Sequence, residues 1–209
     1  MTKPSRAFLS HGKSSHFSIG YMAKISILSA ISVILMFFDI PLWFAPSFYK
    51  IDLSEVSVLI GAFALGPLAG VCIELIKVLL ELLLKGTTTA GVGEFANFVI
   101  GCSFVLPAAW IYRQKKSVQR AILGMGVGIL VMTVIGSLLN LYLLLPVYSV
   151  AYGMPIDALV AAGTAVNPAI TSMETLVLFA TAPFNLLKGV LSSLICLVLY
   201  KHISPLLHR

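Results

Sequence analysis

One helical turn separates an amide from an amine in Pro183-Phe184-Asn185-Leu186-Leu187-Lys188-Gly189, inside an otherwise apolar stretch near the chain's end. At i, i+3 spacing Asn185 and Lys188 project from one face of a helix. A lysine at membrane depth is costly unless something offsets its charge, and a polar ligand is one way to do so. Asn97, Asn140 and Glu55 are further polar side chains set among apolar neighbours. Amides and an amine converging from several helices within an apolar wall suit a flat or amphipathic small molecule. Simple ion conduction would instead require rings of charge or of carbonyls.

Each of these residues also has a purely structural reading. Asp52 followed three residues later by Glu55 resembles a capping box, so Glu55 is either helix-start chemistry or a carboxylate at the outer mouth of a pocket. Glu74, Lys77 and Glu81 form an i, i+3, i+7 row on one helix face, which fits mutual pairing or a partner-facing surface. Glu94 and Glu174 stand at expected helix starts, where the dipole favours an anion. The asparagines suit interhelical hydrogen bonds as well as a ligand.

The elements that must position these residues are membrane helices. Hydrophobic residues make up 59% of the 209-residue chain and charged ones 11%, a balance outside the range of soluble domains. Apolar runs near the ~20 residues needed to span a bilayer predict an all-α integral membrane protein of six transmembrane helices in a compact bundle. The expected spans are Ile19 to Ile40, a short Leu53 to Leu65, Pro67 to Leu84, Glu94 to Tyr112, Val118 to Tyr148 and Ser172 to Lys201. Gly66-Pro67 divides the second from the third, because proline suits a helix's first turn and not its interior. The expected organisation is a disordered basic tail at 1–18, a membrane domain at 19–202 and a second tail at 203–209.

Lysine and arginine counts orient this bundle. Lys3, Arg6, Lys13 and Lys24 precede or open the first helix, Arg113, Lys115, Lys116 and Arg120 join the fourth to the fifth, and Lys201 and Arg209 follow the sixth. With six spans these segments share one side, and the positive-inside rule makes it the cytoplasm, so both termini are expected there. The basic first segment is followed by no small-residue cleavage site, which reads as an uncleaved first helix in the plasma membrane.

Topology therefore accounts for the net charge of +6, and no aromatic-basic stripe suggests nucleic acid. Cys72, Cys102 and Cys196 lack CxxC spacing and read as packing residues. His11, His16, His202 and His208 all lie in the terminal segments, so neither a metal site nor a histidine base is expected at membrane depth. No phosphate loop, GxSxG elbow or HExxH occurs, so the chain is expected to be no enzyme, to need no cofactor and to leave any ATP hydrolysis to another subunit.

Taken in order, several stretches resemble the riboflavin-specific substrate-binding subunits, or S components, of energy-coupling-factor vitamin transporters. They are Ala45-Pro46-Ser47-Phe48 with Lys50 to Val56; Gly61 to Pro67 with Gly70; Glu74 and Lys77; Gly86-Thr87-Thr88-Thr89 with Gly91 to Glu94 and Asn97; Asn140 with Leu145-Pro146-Val147-Tyr148; and Pro183 to Gly189. They run from about Asp39 to Gly189, most of the chain. The resemblance implies riboflavin bound near the extracellular side by Glu55, Asn97, Asn140, Asn185 and Lys188. It implies a lid at Pro41 to Tyr49, where Trp43, Phe44, Phe48 and Tyr49 suit an aromatic ring system or, equally, an interfacial belt. It also implies an energy-coupling module of one transmembrane coupling protein and two cytosolic ATPases. The family's docking face carries a small-xxx-small motif on the first helix, matched here by Ser26 and Ala30, though not by two alanines. Ser57 stands where the pattern has proline. Another vitamin within the same architecture, a self-sufficient secondary transporter and a lipid-acting membrane enzyme are the alternatives, the second weakened by the lack of inverted repeats.

Overall fold

The computed structural model describes residues 18–46 and 49–207, with side chains as far as Leu199. Residues 1–17 of the expected N-terminal tail, with His11 and His16, the Ser47-Phe48 pair and the last two residues, His208 among them, lie outside the described residues.

Helix α1 (Ile19–Met36) starts at Ser18, whose hydroxyl accepts the Tyr21 N–H at 3.2 Å. It ends before the expected Ile40. Proline biases its predecessor toward extended backbone, and Ile40–Pro41 (β1) instead pairs antiparallel with Lys50–Ile51 (β2), a clip across the base of the intervening loop. Helix α2 (Ser54–Leu65) is short and almost wholly buried. Gly66 turns the chain at φ 108°, and Pro67 opens α3 (Pro67–Lys85) as expected. Helix α4 (Val92–Gln114) follows Gly91, at φ 88°, and α5 (Val118–Leu139) is capped by Ser117.

Beyond α5 a π-helical turn, Asn140–Leu144, leads into α6 (Leu145–Ala151), and a helix absent from the sequence-based expectation follows, α7 (Ile156–Thr164). The last span begins with one turn, α8 (Met173–Leu176), passes through a second π turn, Val177–Thr181, and continues as α9 (Ala182–Leu207). Both π turns have one origin in the sequence. Pro146 and Pro183 each lie four residues after the turn's central residue, Tyr142 and Phe179. A proline inside a helix lacks the N–H that would bond that carbonyl and its ring crowds it, and widening to a π turn relieves the conflict. Pro107 sits within α4 without such a turn, so proline permits the widening and does not compel it.

Four helical runs among the described residues are long and apolar enough to cross a membrane: Ile19–Met36, Val92–Gln114, Val118–Ala151 and Met173–Leu199. Helix α2 has 12 residues, and α3 carries Glu74, Lys77, Glu81 and Lys85. The main core, centred on Leu59, Ile73, Phe104, Met125 and Met132, joins α1 through α5 to α9. Helices α4 and α5 approach closely because Gly124 and Gly128 face carbonyls of α4. A Cβ there would stand 2.6 Å from the Ala108 oxygen and 2.4 Å from that of Phe104. Of the three cysteines only Cys196 packs as expected; Cys102 is half-buried and Cys72 lies exposed on the outer face of α3, where small size serves no contact with the core.

Candidate functional site

A cavity of about 310 Å³ opens at the end of the bundle where α1 and α3 finish and α4 and α9 begin. This volume falls at the lower end for small-molecule sites. Asn97, Asn140, Asn185 and Lys188 line it, contributed by α4, the first π turn and α9. Ile100, Leu144, Phe184 and Tyr148 supply apolar wall, and Asp39, Lys50, Glu81, Lys85 and Glu94 lie around it as charges.

Lys188 is buried and its ammonium donates to Asp52 at 3.0 Å. Asp52 does not cap α2 as the sequence suggested: Leu53 holds the cap position with no side-chain bond. The Asp52 carboxylate instead accepts the Ser54 N–H at 2.9 Å and the Ser54 hydroxyl. Burial alone would raise its pKa, but the positive charges of Lys188 and Lys77, with the Ser54 hydrogen bond, hold the carboxyl well below the usual carboxylate range. Lys188 and Asp52 thus meet the cavity as an ion pair at its floor.

Glu55 sits behind that floor and not at the mouth. It is 1% exposed, is absent from the lining, and accepts from Lys77 at 2.8 Å. Lys77, with no exposed surface, also contacts Glu74 at 2.7 Å and Ser54 Oγ at 3.4 Å. A Cβ on Gly101 would stand 2.2 Å from the Glu74 carboxylate, so this glycine makes the room for a buried charge. The expected row of three charges therefore divides: Glu74 pairs inward with Lys77, whereas Glu81 reaches Lys85 at 3.5 Å beside the cavity. One buried polar chain runs from Lys188 through Asp52 and Ser54 to Lys77, Glu55 and Glu74.

On the opposite wall the π turns set a second network. Tyr49 donates its hydroxyl to Asn140 Oδ1 at 3.0 Å and lies 2.6 Å from Thr181 Oγ1, while its ring packs on Phe184 at 5.2 Å. Asn140 Nδ2 donates to the Gly136 carbonyl at 2.9 Å, which fixes the amide's orientation without appeal to an assigned flip. Asn185 is 2% exposed, and its Nδ2 has no hydrogen-bond partner among the described residues. Asn185 lines the cavity as a residue while its Nδ2 packs toward Gly136, a buried unpaired donor that calls for a physical account. Glu94 accepts from the Thr87 and Thr89 hydroxyls at 3.0 and 3.3 Å, ordering the threonine loop beside the cavity.

Within the loop expected as a lid, Trp43 is exposed and meets Phe44 edge-on at 5.6 Å, while Tyr49 points inward. Ser26 and Ala30 lie exposed on the outer face of α1, the Ser26 hydroxyl donating to the Met22 carbonyl at 3.0 Å. Sequence reasoning missed Asp52 and Thr181 as site residues. Asp52 was absorbed by its resemblance to a cap, and Thr181 carries no signal beyond its place two residues before Pro183.

The family model for the substrate-specific component of ECF transporters matches residues 20–200. Among similar proteins are a riboflavin transporter, RibU, of Staphylococcus aureus, 35% identical over 90% of this chain and 92% of its own, and a riboflavin transporter, FmnP, of Bacillus subtilis, 30% identical over 88% and 92%. The solved structure of the S component of a bacterial ECF transporter superposes with a TM-score of 0.69 at 34% identity, covering 90% of this chain and 98% of that one.

Proposed function

This chain belongs to the substrate-specific components of ECF transporters, and from that premise we propose that it captures riboflavin and delivers it into the cell as the substrate-binding subunit of an ATP-driven transporter. The observation that carries the reading is the cavity where Asn97, Asn140, Asn185 and Lys188 converge between apolar walls, joined to similarity with riboflavin transporters over 88–90% of the chain. An isoalloxazine ring offers carbonyl and ring-nitrogen acceptors with an N–H donor, and a ribityl chain offers hydroxyls. Asn185 supplies a cavity-lining amide whose Nδ2 is unpaired among the described residues. Lys188 supplies a charged donor, and Asp52 a carboxylate able to accept from hydroxyls. Asn97 and Asn140 complete the polar contacts, and Phe184, Leu144 and Ile100 face the ring. Glu55 acts from behind, holding Lys77 beside Ser54 and so the floor in place. The flavin is cargo and not a cofactor.

The chain is a multi-pass plasma-membrane protein. In this reading α1, α2, α3, α4, the α5–α6 run and the α8–α9 run make six spans. The cavity opens at the end away from the α4–α5 turn, where Arg113, Lys115, Lys116 and Arg120 cluster. The positive-inside rule then puts that turn and both termini in the cytoplasm and the cavity on the outer side. The sequence carries no phosphate-binding loop, and in this reading a module of one transmembrane coupling protein and two cytosolic ATPases supplies the energy, with Ser26 and Ala30 on its docking face.

Uptake of labelled riboflavin by cells lacking their own riboflavin transporter tests this. Expression of this chain with a coupling module is expected to give ATP-dependent uptake, and the chain alone none. Ion-gradient-driven uptake by the chain alone would replace the reading with secondary transport.

A further inference from the structure

Three glycines recur along the inner face of α5, and the third differs from the others. Gly124 and Gly128 face the α4 backbone, whereas Gly136 faces a side chain: a Cβ there would stand 2.7 Å from Asn185 Nδ2, 3.3 Å from its Cγ and 3.4 Å from its Oδ1. Gly136 also offers its carbonyl to the Asn140 amide at 2.9 Å. It is buried and does not itself line the cavity. Two ligand-facing amides from different elements are thus set against one residue, one by the missing Cβ and one by the carbonyl.

We propose that Gly136 is a positioning residue for ligand recognition: its bare Cα makes the room that seats the Asn185 amide in the cavity wall. This rests on the riboflavin reading of the site. A methyl at Gly124 or Gly128 collides with rigid backbone and separates α4 from α5. A methyl at Gly136 collides with the far end of a side chain, which swings aside at little cost to the fold. The displaced amide then no longer holds its place in the wall that the ligand meets. Gly136→Ala therefore weakens recognition while sparing stability, the reverse of what a tight helix-packing glycine does. Gly126, with nothing within 4 Å of its Cβ position, is the control.

The test is riboflavin titration of purified wild type, Gly126→Ala, Gly136→Ala, Asn185→Ala and the double variant Gly136→Ala/Asn185→Ala, with thermal unfolding of each unliganded protein. Gly136→Ala is expected to lose about tenfold in affinity, the scale of one buried hydrogen bond, with unfolding close to wild type and Gly126→Ala unchanged in both. The double variant should bind as Asn185→Ala alone does, because without the amide the extra methyl has nothing to displace. It also makes the needed room if Gly136→Ala alone fails to fold. Wild-type affinity in Gly136→Ala, or a double variant that loses the sum of both single effects, would overturn the inference. Wild-type protein that ignores riboflavin would remove the reading beneath it.

Discussion

Replacing Lys77 with methionine keeps much of the side chain's bulk and deletes one charge from the centre of the bundle. In the native protein that ammonium stands 2.8 Å from Glu55 and 2.7 Å from Glu74, all three having at most 2% of their side chains exposed. Glu55 Oε2 and Glu74 Oε2 already lack hydrogen-bond partners among the described residues. Without Lys77 two carboxylates remain in an apolar interior, with Lys188 already committed to Asp52. Removing one partner of a buried ion pair costs about 3–5 kcal/mol, and two carboxylates share this partner, so the upper part of that range applies. For a chain of this size about 2–4 °C of melting temperature is lost per kcal/mol, which gives a drop on the order of 10 °C. The assay is thermal unfolding of detergent-purified protein followed by intrinsic fluorescence. The triple variant Lys77→Met/Glu55→Gln/Glu74→Gln should recover most of the loss, since neutral groups no longer demand a counter-charge. A Lys77→Met protein that melts within a degree or two of wild type would refute the claim that this ion cluster holds the cavity floor.

Three further outcomes follow from the same geometry. Because the Asp52 carboxyl is held below its ordinary value, its contribution to stability is complete above the unfolded-state value near pH 4 and disappears as pH falls toward the lower folded value; melting temperature should therefore be insensitive to Asp52→Asn-type pH effects above about pH 5, and the acid-side loss should be smaller in that variant. Tyr49→Phe removes the hydroxyl that bonds Asn140 and Thr181, and should weaken riboflavin binding by about 1 kcal/mol, read by fluorescence quenching; unchanged affinity would show that Asn140 needs no such support. Gly128→Ala drives a methyl toward the Phe104 carbonyl and should sharply lower the yield of folded protein on size-exclusion chromatography, whereas Gly126→Ala should match wild type.

Much of the bundle is legible in the sequence because bilayer length and proline chemistry write it there. Gly66-Pro67 separates α2 from α3 where expected, and four of the runs have the apolar length of a span. The π turns and α7 were not legible in detail: a proline in an apolar run announces a disturbance but does not say whether the helix kinks, breaks or widens, as Pro107 beside Pro146 and Pro183 shows. At the site, asparagine and lysine stood out because an apolar segment gives them no local reason to be there. Asp52 and Glu55 did not separate, because a capping pattern and a ligand-side carboxylate share the same residues at the same spacing. Only the three-dimensional pairing shows Asp52 facing the cavity with Lys188 while Glu55 turns inward to Lys77. Gly136 was invisible for a different reason: its role lies in an absent atom beside a residue 49 positions later in the chain.

The most direct measurement is an absorption spectrum of the detergent-purified protein followed by riboflavin titration of wild type, Asn185→Ala and Lys188→Ala. The account predicts co-purified yellow flavin or saturable one-to-one binding by wild type, weakened by at least about 1 kcal/mol in each variant with folding retained. A colourless wild-type protein whose fluorescence does not respond to riboflavin, or variants that bind as wild type does, would contradict it.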